Sequence, residues 1–123
     1  MRQKLFTCKS VMTMRANIAM NDLEYAAKAA GIDGQLEGDG RFINNADGLQ
    51  WNPEEDEGDS RRLQVKLRLS IHLSIDVVQV DLPSFNSGVF KDIEFNPAIE
   101  GDDLRACREA VFQVAVQIGR NMK

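Results

Sequence analysis

The chain has 123 residues, 43% apolar and 28% charged, which fits one globular domain and excludes a disordered polypeptide. No stretch approaches the ~20 unbroken apolar residues of a membrane-spanning helix, two cysteines (Cys8 and Cys107) cannot make a disulfide scaffold, and a lone histidine, His72, excludes a His-rich metal site. The formal charge of −4 is unevenly spread: residues 1–19 hold Arg2, Lys4, Lys9 and Arg15 and no acid, whereas residues 20–123 hold 11 Lys or Arg and all 19 acids, net −8.

Lys9 and Arg15 interrupt the apolar run that a secretory signal needs. The basic, acid-free composition also suits an organelle transit peptide. The favoured reading of 1–19 is an in-frame extension, untranslated or disordered, ahead of an initiator at Met20. A single compact α/β domain then spans 20–123, and Cys8 lies outside it.

Asn21 or Asp22 is a good N-cap, and Leu23, Ala26, Ala27 and Ala30 recur at helical spacing up to Gly31, so a helix is predicted over 22–30. Residues 31–48 are rich in Gly, Asp and Asn. Within and after them, Arg41-Phe42-Ile43 and Leu49-Gln50-Trp51 read as two short strands joined by the loop Asn44-Asn45-Ala46-Asp47-Gly48. Asn52-Pro53 ends the second, and Phe42 and Trp51 are expected in the core.

Leu63, Val65, Leu67, Leu69, Ile71, Leu73, Ile75 and Val77 alternate with polar residues, which on its own describes one long strand. Strands average about 5–6 residues. Asp59 and Ser60 are capping types, and 61–68 is rich in helix formers. The split is therefore a helix over 59–68 and a strand over 69–80, with the continuous strand as the alternative. Pro83, Ser84, Asn86, Ser87 and Gly88 make a loop, and Val89 to Phe95 a further strand. The last helix starts at Gly101-Asp102 and closes at Gly119. Its apolar stripe is Leu104, Cys107, Val111, Val114, Ala115 and Ile118, with Val116 outside it as an exposed residue. Arg105 and Glu109 pair at i, i+4. The fold class is α/β (α+β): a mixed or antiparallel sheet of about four strands covered by about three helices.

The stretches Gly48-Leu49-Gln50-Trp51-Asn52-Pro53 and Gly58-Asp59-Ser60-Arg61-Arg62-Leu63-Gln64-Val65-Lys66-Leu67, with the acidic run between them, resemble a family of small uncharacterised bacteriophage and prophage proteins. Gly101-Asp102-Asp103-Leu104-Arg105-Ala106, the closing Ala115 to Gly119, and Met20 to Gly31 are similar to the family's last helix and its beginning. The resemblance covers about residues 20–119, weakly over 70–98, and residues 1–19 are a departure from it. It implies a three-layer alpha-beta-alpha sandwich in the cytoplasm of a bacterial host. It carries no activity to transfer.

Glu54, Glu55, Asp56, Glu57 and Asp59 could surround a cation, but a calcium loop needs glycine at its sixth position, and counting from Asn52 the sixth residue is Glu57. The run reads instead as carboxylates facing a helix N-terminus. His72, Ser74 and Asp76 share one face of the predicted strand. Neighbours there sit about 7 Å apart, whereas a nucleophile and its base need about 2.6–3.2 Å. They read as solvated polar residues. Gly38-Asp39-Gly40 is a turn, lacking the third glycine of a nucleotide-binding fingerprint, and Cys107 is a small buried hydrophobe.

No catalytic residue, cofactor site or metal site is assigned. The candidate interaction residues are Glu54, Glu55, Asp56, Glu57, Asp59, Arg61 and Arg62. The function expected is a non-enzymatic phage accessory protein that contacts a host or phage protein, in its sharpest form an acidic inhibitor occupying a basic nucleic-acid-binding surface. The alternative is direct nucleic-acid binding through Arg61, Arg62, Lys66 and Arg68, which the acidic field opposes.

Overall fold

A computed structural model describes residues 21–83 and 88–122. The 1–19 extension, Cys8, Met20 and most of the loop after Pro83 lie outside them.

Helix α1 (Asp22–Ala30) forms as its caps dictate. Asn21 Oδ1 accepts from Glu24 N–H at 2.9 Å, Glu24 Oε1 accepts from Asn21 N–H at 3.1 Å, and Gly31 closes the helix at φ 71°. Strands β1 (Gly34–Leu36) and β2 (Phe42–Asn44) then make an antiparallel hairpin around the Gly38-Asp39-Gly40 turn. β1 lies within the stretch rich in Gly, Asp and Asn, where no strand was expected. A Cβ at Gly34 would sit 2.4 Å from both Ile43 O and the Phe42 ring, so that glycine is a packing requirement. Residues 49–51, expected as a strand, form only a bridge from Gln50 to Ile43. They track β2 through Asn44 N–H to Leu49 O and Trp51 N–H to Phe42 O until Pro53 ends the pairing.

Helix α2 (Glu57–Leu67) confirms the helical reading of this region and starts earlier than expected. Asp56, not Asp59 or Ser60, is the N-cap, its Oδ2 accepting from Asp59 N–H at 2.8 Å. The helix ends on Arg68, held in the left-handed region at φ 57°.

The strand expected over 69–80 is a hairpin, β3 (Ser70–Leu73) and β4 (Val77–Asp81), with β5 (Phe90–Glu94) beside β4 in an antiparallel sheet ordered β3-β4-β5. Ser74 N–H and Oγ both reach Val77 O and close a tight turn at Ile75-Asp76. The signal lay in the phase: apolar residues occupy odd positions through Val77, but the buried residues of β4 are Val78 and Val80.

Helix α3 (Asp102–Asn121) is the centre of the molecule. The sheet lies against it on one side, and α1 and α2 on another. Its buried face is Ala106, Ala110, Val111, Phe112, Val114, Ala115, Val116 and Gly119. That face is wider than the expected stripe because two layers pack on it. Val116 is only 5% exposed, which corrects its expected surface position, whereas Leu104 is exposed. Gly119 does not end the helix. It lies inside, where a Cβ would come 1.9 Å from Tyr25 O, so the absence of a side chain is what lets α1 and α3 approach. Phe42 and Trp51 are buried as expected, their rings edge to face at 5.8 Å.

The fold is α+β, with three helices and two antiparallel sheets of two and three strands in place of one sheet of about four. Val78 and Val80 face α3, while His72, Gln79, Phe90, Asp92 and Glu94 on the other face of the larger sheet are exposed. Among the described residues no helix covers that second face. Nor is any described helix long and apolar enough to cross a membrane.

Candidate functional site

The structure does not display the acidic run as one patch; it divides it. Asn52 C=O accepts from the N–H groups of Glu55 and Asp56, forming the turn that leads into α2. Asp56 caps the helix. Asp59 reaches back, its Oδ2 accepting from Asn52 N–H at 2.9 Å, and forward, its Oδ1 accepting from Arg62 Nη2 at 2.7 Å. Glu57 turns toward α3 and pairs with Arg108 Nη1 at 3.0 Å, while Arg108 Nε donates to Glu54 O at 3.2 Å. Three of the five carboxylates therefore hold the 51–59 segment onto α2 and α3.

Arg108 is the residue that sequence reasoning missed. It lies 51 positions from Glu57, and nothing local connects them. Its cue was its placement two turns into α3 among buried neighbours. Glu54 lies in a shallow second depression with Asn21, Asp22 and Phe112. Burial raises its carboxyl above the usual range, and the nearby Glu109, Glu55 and Asp22 charges add to the effect.

Glu55, Asp56, Asp59 and Arg62 line a groove of about 870 Å³ between the C-terminus of α1, the 44–52 segment and α2. Its floor includes Trp51 and Leu63, and Asn44, Asp47 and Lys66 complete the polar rim. Arg62 enters this groove clamped by Asp59, with Asp56 at 4.0 Å, and the Asp59 hydrogen bond strengthens its hold on its proton. Arg61 is exposed and does not line the groove. The expected basic cluster is thus dispersed: Arg62 is neutralised, Lys66 is on the groove rim, and Arg68 is at the helix end.

His72, Ser74 and Asp76 do not share a strand. Ser74 and Asp76 belong to the turn, where Ser74 Oγ donates to Val77 O at 3.2 Å. His72 Nε2 instead lies 3.3 Å from Asp81 Oδ1, diagonally across to β4. Oδ1 is shielded from solvent and accepts no aligned hydrogen bond from the described residues. Cys107 is half-buried, and burial pushes its thiol up, away from reactive thiolate character. Among the described residues no three His, Cys, Asp or Glu side chains are placed to hold a metal ion.

The other polar surface is the open face of β3-β4-β5. Antiparallel register and strand alternation put Ser70, His72, Val77, Gln79, Asp81, Phe90, Asp92 and Glu94 on it. Among the described residues it bears three carboxylates and no lysine or arginine, with the exposed Phe90 ring on the same face. Lys91 lies on the opposite face. Fold and surface together define a small α+β protein with one acidic, uncovered sheet face. No family model matches the chain, and neither the curated proteins nor the solved structures contain a significant match to it.

Proposed function

We propose that this protein is a non-enzymatic interaction module that meets a basic macromolecular surface through carboxylates, in the manner of a phage accessory protein that occupies a host nucleic-acid-binding protein. The observation that carries the reading is the open sheet face, where Asp92 and Glu94 lie exposed along β5 with Phe90 and, among the described residues, no lysine or arginine shares the face. Elsewhere Arg41, Arg62, Arg105, Arg108 and Arg120 are each paired with an acid, so they cancel those carboxylates and not the ones on the sheet face. Phe90 supplies the apolar contact that a purely electrostatic encounter lacks. We place the contact on the sheet in preference to the 54–62 segment, because there Asp56, Glu57 and Asp59 are engaged within the molecule.

The test is affinity capture from bacterial lysate at low and raised salt, with wild type beside the double variant Asp92→Lys, Glu94→Lys. The expected result is a partner retained at low salt, released at high salt and lost with the variant, whose circular dichroism stays unchanged. Equal capture by both proteins rejects the reading. A mobility shift of DNA or RNA that Arg61→Glu abolishes would replace it with direct nucleic-acid binding.

A further inference from the structure

The larger sheet has two edges, and they differ. Along β5, Phe95 N–H donates to Asp76 O and Leu82 N–H to Val89 O, so odd-numbered residues bond β4 and even-numbered ones turn outward. Two of those outward carbonyls are taken by α3: Gln117 Nε2 donates to Phe90 O at 3.3 Å and Arg105 Nη2 to Glu94 O at 3.4 Å. Along β3, Ser74 N–H donates to Val77 O, so the ladder bonds fall on residues 74, 72 and 70. The N–H and C=O of Ile71 and Leu73 therefore point away from β4, and no described residue meets them. Residues 69–75 also lack the charges, prolines and glycines that usually protect a sheet edge. Leu73 is 65% exposed and Ile75 81%.

This edge is complementary to itself. We propose that two copies of the chain pair through β3, antiparallel about a two-fold axis at His72, and join their sheets into one of six strands. In that register Ile71 faces Leu73 of the second copy and Leu73 faces its Ile71, and the two pairs exchange four backbone hydrogen bonds. Ser70 falls opposite Ser74, Leu69 toward Ile75, and His72 opposite His72. At each end the exposed Arg68 of one copy approaches the exposed Asp76 of the other, cation to carboxylate. The sequence from Arg68 to Asp76 is thus a palindrome of residue classes, with opposite charges at its ends.

Neighbouring registers fail. One centred on Ile71 needs the backbone of Leu69, whose N–H and C=O are already bonded to Gln64. One centred on Leu73 needs Ile75, which lies in the turn. A second copy also suits the charge distribution, because in an acidic body this strand lets two copies meet without opposing carboxylates. The pairing uses different groups from Asp92 and Glu94, so it stands whether or not the acidic-contact reading does. So short a ladder buries less than the ~1,200 Å² of stable complexes, and the expected association is weak and concentration-dependent.

Sedimentation of the full chain from micromolar to millimolar concentration should show the mass rising toward twice that of the monomer. Leu73→Lys should hold the chain monomeric with unchanged circular dichroism. In a Cys8→Ser, Cys107→Ala background, His72→Cys should form a disulfide-linked dimer on mild oxidation, because a non-hydrogen-bonded pair sits at a Cα separation of about 4.5 Å, within disulfide reach. Gln79→Cys, on the same face of the central strand, should stay monomeric. A wild-type chain that remains monomeric at millimolar concentration overturns the proposal. So does His72→Cys cross-linking no faster than Gln79→Cys, or a monomeric chain that binds only an extended peptide along β3.

Discussion

Asp59 connects three parts of the chain through one carboxylate. It receives Asn52 N–H and Arg62, and it stands next to the Asp56 cap. Its side chain is only 13% exposed, so both accepted bonds form in partial shelter from water. Asp59→Ala leaves the Asn52 N–H and the Arg62 guanidinium without their acceptor, and the expected loss is about 1–3 kcal/mol in urea denaturation. Glu55→Ala, one turn earlier and exposed, should stay within about 0.5 kcal/mol of wild type. Equal losses from both would mean that the run acts as a charge cluster rather than through Asp59. The acidic types and their place before a helix are legible in the sequence. The division of labour among them is not, because it depends on where Asn52 and Arg108 arrive in space.

At the scale of elements, the contact between α1 and α3 and the end of α2 are the sensitive points. Gly119 lies where α1's backbone crosses α3, and Gly119→Ala must push Tyr25 O away from a 1.9 Å approach. Overpacking of this kind costs about 1–3 kcal/mol, and here the obstructing atom is backbone, which places the expected value at the upper end. A thermal melt that shifts by no more than that of an exposed-site alanine control would contradict the packing. Arg68 is the opposite case: an L-residue held at φ 57° and ψ 49°. Arg68→Gly removes the left-handed penalty and should stabilise the isolated chain by up to about 1 kcal/mol, less what glycine loses in unfolded-state entropy. Capping residues and stripes made α1, α2 and α3 readable before folding. The β3-β4 turn was hidden because its residues continue the alternation and Ser74 closes it without a glycine.

For the whole molecule, charge and burial set the response to pH. Glu54 has its carboxyl raised in the folded state, mainly by burial. A folded value above the unfolded one means that the ionised form opposes folding above both, and that this penalty vanishes below the unfolded value. Glu54→Gln should therefore raise the melting temperature at about pH 7 and leave it unchanged at about pH 3, where the carboxyl is protonated in both states. A similar gain at both pH values would trace the effect to packing. Asp102 runs the other way. The Arg105 hydrogen bond first, and the Asn96 N–H second, hold its carboxyl below the usual range. Its contribution is present above the unfolded value of about 3.9 and is lost as pH falls through the lower folded one.

Periodicity and capping chemistry operate within a few residues, so the sequence by itself determined three helices, a strand near 90–94 after the loop at Pro83, the burial of Phe42 and Trp51, and a net acidic charge over residues 20–123. Only the tertiary structure decided that Gly34-Gln35-Leu36 would pair as a strand, that 69–80 would fold back on itself, and that Gly119 would lie inside a helix. It also decided that Val116 would be buried and that the acidic run would be spent on Asn52, Arg62 and Arg108 while Asp92 and Glu94 stayed exposed on the larger sheet. Each of these outcomes depends on what a distant segment brings against the residue, and no local window contains that partner.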